Sequence, residues 1–339
     1  MKILFAIQGT GNGHLSRARD IYPELAKYGD VDVLISGIQA DVTFPFPVKY
    51  KLHGMSFIFG NKGGVDIWKT TKSLKLARLI KDIRSLPVAE YDLVVDDFEA
   101  VAAWACKLKR VPCIALSHQS AVIDKNAPKP KEKDWFGELI LNHYAPCTAA
   151  YGFHFAAYSP NIYTPVIRKQ IRDITPTDEG HYTVYLPAYD DATMIEHLSK
   201  FEAVQWQVFS KHNKEAFTFK NIQVQPIEND AFIKSMASST GVLCGAGFEG
   251  PAEALYLGKK VMAIPMVGQY EQHCNAAGLE SLGVPVIKQL SKKYYDDIHR
   301  WLISTERLKV NFPDNAARVV EQLIHEQVGL KKIQPAFAK

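Results

Sequence analysis

The stretch KILFAIQGTGNGHLSRARDIYPELAK, residues 2–27, decides the fold because it joins an apolar run, a glycine-rich turn and a helix-like segment. Lys2–Ile7 is a continuous apolar run, which is typical of a strand buried on both faces of a parallel sheet. Leu15–Lys27 has a helical pattern that stops at Gly29. The order of strand, glycine turn and helix predicts the first unit of a doubly wound α/β domain.

The same alternation of apolar strands and helices continues along the chain and restarts near residue 181. We therefore predict two tandem, doubly wound, Rossmann-like domains over residues 1–157 and 181–339. Residues 158–180 contain Pro160, Pro165 and Pro176 and are the predicted linker. We also consider a return of the C-terminal helix to the first domain. The predicted strands after the first are Val31–Ser36, Tyr91–Val95, Pro112–Ser117, Tyr182–Leu186, Val204–Phe209, Ile222–Gln225, Gly241–Cys244 and Lys260–Ile264.

Composition and charge describe an ordinary globular chain of 339 residues with 47% hydrophobic residues. The formal net charge of +4 is too small to indicate nucleic-acid binding by itself, so no nucleic-acid partner is expected. No apolar run approaches the roughly 18 residues that span a bilayer. Five cysteines without a CxxC pair suit a reducing compartment, and we expect a cytoplasmic protein.

The segment Lys62–Arg84 stands apart because it carries seven basic residues and two acidic ones. One interpretation is an amphipathic helix with a solvated basic side. The other is peripheral contact with anionic lipid at the inner face of the cytoplasmic membrane, or with a polyanionic acceptor. The pair Trp135 and Phe136, beside a lysine-rich loop, fits the membrane interpretation but equally suits a soluble enzyme with a mobile polar loop.

The first glycine-rich turn, Gly9–His14, lies between a predicted strand and a predicted helix. Gly11, Asn12 and Gly13 would bring backbone N–H groups and the helix N-terminus close to a phosphate or an acceptor. A dinucleotide fingerprint would need glycine at the position of His14, and no acidic residue ends the second strand, so a nicotinamide dehydrogenase is disfavoured. The alternative is a tight turn without a ligand.

His14 is the first candidate for a general base because it follows a strand end that faces the predicted crevice. An imidazole there could take a proton from a hydroxyl near neutral pH. The alternative is a histidine that only caps or packs locally.

The second glycine-rich turn, Gly245-Ala246-Gly247, lies at the same position in the second domain and could cradle a diphosphate. Pro251 is predicted at the first position of the following helix and Gly258 just past its end. Glu253 in the first turn either complements the helix dipole or accepts both ribose hydroxyls. Glu271 and Gln272 follow a later strand and are either sugar-binding or solvated loop residues.

Taken together, the two motifs resemble known glycosyltransferases. The run from Gln8 to Ala18 resembles the N-terminal loop of the lipid II-forming N-acetylglucosaminyltransferase and its relatives. The run from Gly245 to Pro265, continuing through Glu271 to Ala276, resembles the donor-binding segment of that group and the signature of family 1 glycosyltransferases. The similarity extends to bacterial and archaeal glycosyltransferase-like proteins of the family 28 type. This resemblance implies the GT-B fold, in which two Rossmann-like domains face a central cleft.

The resemblance also assigns roles. It implies that Gly245, Ala246 and Gly247 face the diphosphate of a nucleotide-sugar, with UDP as the expected nucleotide. It implies that Glu253 holds the ribose and that Glu271 and Gln272 hold the sugar. The order of the strands alone places the base against the backbone near Gln225–Ile227. The acceptor, which is a carbohydrate, a lipid-linked molecule or a small molecule, would lie near Gly11–His14.

Departures from the family pattern point to the reaction type. Retaining GT-B enzymes carry a glutamate where this chain has Gly245, so we expect inversion by direct displacement. Adjacent Asp96 and Asp97 do not form a metal-binding DxD motif, so we expect no metal and no other cofactor. Asp97 is the second candidate base, and His118 is a candidate to orient either. The alternatives are a nucleotide-sugar epimerase or hydrolase on the same fold and a non-catalytic nucleotide-sugar-binding protein.

Overall fold

The computed structural model describes residues 1–37, 44–55 and 76–333, with side-chain detail through residue 327. Its first sheet is fully parallel and runs in the order β3-β2-β1-β4-β5-β6-β7. Its strands are β1 (Lys2–Gln8), β2 (Asp30–Ser36), β3 (Tyr50–Leu52), β4 (Leu93–Asp97), β5 (Ile114–Ser117), β6 (Ala149–Phe153) and β7 (Ile162–Tyr163).

The second sheet runs in the order β10-β11-β9-β8-β12-β13 and is parallel except for the antiparallel edge pair β10 and β11. Its strands are β8 (His181–Tyr185), β9 (Gln205–Ser210), β10 (Phe217–Phe219), β11 (Ile222–Pro226), β12 (Gly241–Gly245) and β13 (Lys260–Ile264). The two sheets confirm the predicted α/β class and the doubly wound arrangement.

Helices follow most of the parallel strands, whereas β6 leads to β7, and β9 to β10 and β11, without a helix between them. They are α1 (Asn12–Ala26), α2 (Leu76–Ser85), α3 (Ala100–Lys109), α4 (His118–Val122), α5 (Trp135–His143), α6 (Lys169–Arg172), α7 (Asp191–Leu198), α8 (Asn229–Ser238), α9 (Glu249–Tyr256), α10 (Tyr270–Ser281), α11 (Tyr295–Ile303) and α12 (Ala316–Ile333). Within the described ranges, no helix has both the length and the apolar character needed to cross a bilayer.

The strands are apolar on both sides because helices cover both faces of each sheet. In β1, Phe5 and Ile7 pack into one buried cluster, whereas Leu4 and Ala6 pack into another on the opposite face. Alternating side chains of one strand thus serve two cores, which explains why Lys2–Ile7 reads as a continuous apolar run.

Part of the predicted linker and the C-terminal helix both contact the first domain. Ile162–Tyr163, inside the predicted linker 158–180, forms β7 and pairs with β6, so the first sheet extends further than predicted. The last helix, α12, packs against α1 of the first domain. Tyr163 donates a hydrogen bond to Gln322 on α12 at 2.6 Å, and Tyr151 donates one to Glu326.

Each sheet contains one place where the strand order reverses, between β1 and β4 in the first and between β8 and β12 in the second. Loops leave such a switch point in opposite directions and open a crevice at the carboxyl ends of the strands. Gly9–His14 follows β1 and Gly245–Gly247 ends β12, so both glycine-rich turns lie at these crevices.

Candidate active site

The first glycine-rich turn needs glycine because the backbone is close-packed and unusually bent. A Cβ on Gly9 would lie 2.8 Å from a methyl group of Ile35 and 3.0 Å from the Ser36 carbonyl oxygen. Gly11 has φ of 89°, which disfavours other residues. This loop leads from the carboxyl end of β1 into α1, and His14 lies in the first helical turn of α1.

His14 forms a hydrogen-bonded pair with Asp97, which ends β4 next to β1. The Nδ1–H of His14 donates to Asp97 Oδ1 at 2.8 Å. Arg17, one helical turn further along α1, donates through Nη2 to both oxygens of the same carboxylate, at 2.6 and 2.8 Å. Asp97 is buried, which opposes its charge, but Arg17 and His14 hold its pKa below the usual value. Asp97 is thus an anion that orients His14.

The ring of His14 is also fixed from the side by Phe98. The two rings stack with 6.5 Å between centroids and 6° between planes, and Phe98 stacks on Tyr144 in turn. Phe98 has φ of 57°, a left-handed conformation that costs a non-glycine residue about 1 kcal/mol or more. The neighbouring Asp96 faces the opposite core, where burial raises its pKa. Asp96 and Asp97 therefore do not share one site.

His118, the predicted helper residue, is fully engaged away from His14. Its Nδ1–H donates to the Phe153 carbonyl at 2.7 Å, and its Nε2 lies 2.7 Å from Asn275 Oδ1. Because a ring protonated on Nδ1 only accepts at Nε2, the amide nitrogen of Asn275 is the group on that side. The ring stacks on Phe248 with 3.9 Å between centroids. Burial lowers the pKa of His118, so the ring is neutral. It joins the two domains at this interface.

Gln119 occupies the place next to His14 that sequence reasoning gave to His118. Its Nε2 lies 3.4 Å from His14 Nε2 and donates to Glu271 Oε2 at 3.0 Å. Since a carboxylate accepts only, the amide nitrogen is the group on that side. The buried Gln119 Oε1 has no hydrogen-bond partner within the described residues.

The second glycine-rich turn offers open space above Gly247, where an added Cβ would meet nothing within 4 Å. The Ala246 N–H is already used, because it donates to the Ile264 carbonyl at 3.2 Å. Gly258 has φ of 68° after the end of α9, as predicted. The prediction for Pro251 is wrong: α9 begins at Glu249, so Pro251 is its third residue, still in the turn whose N–H groups lack helical partners.

Both glutamates of α9 are paired with arginines from outside the second sheet. Arg168, which precedes α6, binds Glu253 through Nε and Nη2 at 2.5 and 2.7 Å, and the pair is largely buried. Burial works against the charge of Arg168, yet Glu253 raises its pKa. Arg17 of the first domain binds Glu249 through Nη1. The predicted ribose ligand Glu253 is therefore occupied by a guanidinium here.

The other predicted donor residues, Glu271, Gln272 and Ile227, form contacts of their own. Glu271 at the start of α10 is bound by Gln119 of the first domain, as described above. Gln272 uses its Oε1 to accept from the Met266 N–H at 2.9 Å, which fixes the turn before α10. Ile227 follows β11, and its N–H donates to the Ser210 carbonyl at 2.9 Å.

Five residues that form the contacts described above were assigned no role in the sequence analysis: Arg17, Gln119, Arg168, Glu249 and Asn275. Arg17 was detectable in principle, because it follows His14 by three residues and so shares its helix face. The others depend on how the two domains meet, which spacing along the chain does not reveal.

Two Rossmann-like domains whose switch-point crevices meet at one interface form the architecture of the GT-B fold. The match to family models agrees: residues 1–304 match glycosyl transferase family 1, and the chain belongs to this family. It is thus a glycosyltransferase, and the resemblance noted from the two motifs is confirmed.

Relatives extend the match over nearly the whole chain. An uncharacterized glycosyltransferase of Methanosarcina mazei is 22% identical over 386 residues, covering 98% of this chain and 100% of the relative. Two solved structures share the fold: a UDP-glucosyltransferase from Polygonum tinctorium (TM-score 0.59, 14% identity, 96% of this chain and 94% of that one) and MurG from Acinetobacter baumannii (TM-score 0.54, 15% identity, 98% and 99%). At these identities the solved structures support the fold alone.

Proposed function

We propose that this glycosyltransferase inverts configuration and moves a sugar from a UDP-linked donor onto a hydroxyl acceptor. The observation that carries the proposal is the 2.8 Å hydrogen bond from His14 to an ionised Asp97 at the crevice of the first domain. With Nδ1–H held by Asp97, the lone pair of His14 is on Nε2, on the side of Gln119 and Glu271 of the second domain.

In this proposal, His14 Nε2 takes the proton of the acceptor hydroxyl while that oxygen attacks the anomeric carbon of the donor. The new bond forms as the bond from the anomeric carbon to the diphosphate oxygen breaks, and the diphosphate leaves with both bonding electrons. Gly245 has no side chain that could act as a nucleophile, which favours one displacement over two. Asp97 stabilises the imidazolium without accepting the proton itself.

The donor would lie along the second domain. Open space at Gly247 and the N-terminus of α9 suit the diphosphate, whose growing charge they would stabilise without a metal ion. Glu253 would turn from Arg168 to the ribose, and the freed guanidinium would remain near the diphosphate. Glu271 and the amide nitrogen of Gln272 would contact the sugar, with the base near Ile227. The acceptor would enter near Gly11–Gly13.

Peripheral contact with an anionic membrane is part of the proposal for the acceptor. Residues 62–75 of the predicted basic segment lie outside the described residues. In α2, Leu76 and Ile80 are exposed near the exposed Lys81 and Arg84, and Trp135 on α5 is 75% exposed. Apolar and cationic side chains together suit a surface of anionic lipid. Flotation with phosphatidylglycerol vesicles at low salt tests this, and failure to float counts against it.

Nucleotide binding and product analysis test the function itself. UDP and UDP-sugars are expected to raise the melting temperature, since a ligand of the native state stabilises it. Turnover of a UDP-sugar should require an acceptor and should be lost in His14→Ala, while Glu253→Ala should weaken UDP binding. An altered sugar or a free sugar formed without any acceptor would favour an epimerase or hydrolase instead. Binding without turnover would favour a non-catalytic protein.

A further inference from the structure

Arg17 connects the candidate base to the other domain. Its side chain is 2% exposed; Nη2 holds Asp97 of the first domain and Nη1 holds Glu249 at the start of α9 in the second. Burial opposes its charge, but Asp97 and Glu249 raise the pKa of Arg17, so it is a cation shared by two carboxylates. Asp97, which orients His14, is thereby linked through the guanidinium of Arg17 to α9 of the second domain.

The carboxylate of Glu249 also lies directly on the first turn of α1. A Cβ added to Gly13 would lie 2.4 Å from Glu249 Oε2. The first turn of α1 contains no acidic residue of its own, and Gly11 before it provides no capping side chain. A negative charge is stabilised at a helix N-terminus, so Glu249 has two favourable partners in the first domain.

The charged groups around His14 therefore include the carboxylate at this contact. Asp97 and Arg17 touch it directly, Glu249 reaches it through Arg17, and Glu271 through Gln119. His118 is neutral, and Gln119 carries no charge. If Glu249 is withdrawn, the positive charge of Arg17 is less compensated, which disfavours a protonated His14.

We propose that Arg17 is a positioning residue that makes the orientation and basicity of His14 depend on where α9 lies. It acts through Asp97 on one side and through Glu249 on the other. The proposal rests on the proposed function, because it concerns the base of that reaction. It adds that the strength of the base changes when a diphosphate or a domain movement displaces Glu249.

Titration of the His14 imidazole by NMR tests the proposal in the intact protein without an acceptor. Glu249→Gln is expected to lower the titration midpoint of His14 by about half a pH unit or more. Glu253→Gln is the matched control, since it removes the same charge one turn further along α9 but from Arg168. It should leave the midpoint of His14 in place. An unchanged midpoint in Glu249→Gln would overturn the proposal.

Gly13→Ala provides a second variant that keeps every charge. Its methyl group would push the Glu249 carboxylate away from α1 and Arg17, and alanine suits a helical position. The midpoint should fall in the same direction as in Glu249→Gln. In an Arg17→Lys background, a lysine cannot bridge both carboxylates, so Glu249→Gln should then have a smaller effect. An equal fall in both backgrounds would contradict a route through Arg17.

Calorimetry with UDP separates this proposal from the function on which it rests. If UDP binds and the His14 midpoint is insensitive to Glu249→Gln and Gly13→Ala, the coupling is wrong and the proposed donor stands. If UDP and the other nucleoside diphosphates do not bind, the proposed donor fails, whereas the titrations still report the coupling. In the active enzyme, the acid limb of the pH profile of kcat should move with the His14 midpoint.

Discussion

The two glycine-rich turns are built alike but carry opposite chemistry. The turn at Gly9–His14 leads into α1 with a histidine and an arginine on its inner face, whereas the turn at Gly245–Gly247 leads into α9 with two glutamates. Each glutamate is held by an arginine from elsewhere, Arg17 or Arg168. The glutamates of α9 are thus already paired within the protein, so a donor that binds there, as proposed, has to replace existing contacts.

The largest expected effect concerns the first turn. His14→Ala should reduce transfer about 1,000-fold, because general base catalysis contributes typically 10²–10⁴-fold. Since His14 is outside the proposed donor site, the rise in melting temperature with UDP should persist. Steady-state kinetics and thermal unfolding with UDP measure the two.

His143→Ala is the control for His14→Ala, because His143 is an exposed histidine on α5. Its turnover should equal that of the wild type. If His14→Ala also turned over at the wild-type rate, His14 would not be the base. The first glycine-rich turn would then have no catalytic role to set against the second.

The pairing of Glu253 in α9, the helix that follows the second glycine-rich turn, is tested by removing its partner Arg168. Arg168→Met leaves a buried carboxylate without its cation and should destabilise the fold by about 3 kcal/mol. Urea unfolding measures this loss. Arg168→Lys keeps a charge but not the two-pronged contact, so its loss should be smaller.

A double variant, Arg168→Met with Glu253→Gln, sharpens the second test. It removes both charges and should recover much of the stability lost in Arg168→Met. No recovery would mean that Arg168 stabilises the protein through other contacts, such as its bond to Asn229.

A smaller effect concerns the interface between the turns, where His154 lies near His118. Burial lowers the pKa of His154 well below its usual value. The unfolded chain, with a pKa near 6.5, therefore binds the proton more readily, and stability should fall as pH drops below about 6.5. His154→Asn can still accept from the Phe155 N–H and should flatten the fall in urea midpoint between pH 7 and 5.

A control for pH comes from the exposed His325, whose replacement by asparagine should not alter that slope. A wild-type midpoint that is constant from pH 7 to 5 would contradict the assignment of a buried neutral histidine.

The smallest expected effect is that of metal removal. If helix N-termini and arginines stabilise the leaving diphosphate, EDTA should change turnover by less than about twofold. Activity that disappears with EDTA and returns with Mg²⁺ would show that the leaving diphosphate needs a metal ion in addition to the helix N-termini and arginines.

The central strands of both sheets were predicted from the sequence because each is a local apolar run, whereas β3, β6, β7 and β10 were not predicted. The strand Lys260–Ile264 was predicted with the bounds it has, since an apolar run between a glycine and a proline leaves little choice. Helix starts were harder to place, and α9 begins two residues before Pro251 because first-turn N–H groups need no partner inside the helix.

The site was readable only in part. His14 and Asp97 were proposed as rival bases because both follow strands; the geometry makes them a hydrogen-bonded pair instead. Arg17 and Glu249 are 232 positions apart, and Arg168 and Glu253 are 85 apart. Such pairs depend on the placement of whole domains, and one sequence contains no local pattern that reports it.

The return of α12 to the first domain limits how the crevice can open. The polypeptide crosses between the lobes twice, once near Arg168 and once before Ala316. A swing of one lobe must bend both crossings together, so the line through them is the natural axis of motion. Proteolytic nicking of the later crossing would free that axis and loosen the lobes, while each sheet kept its own strands.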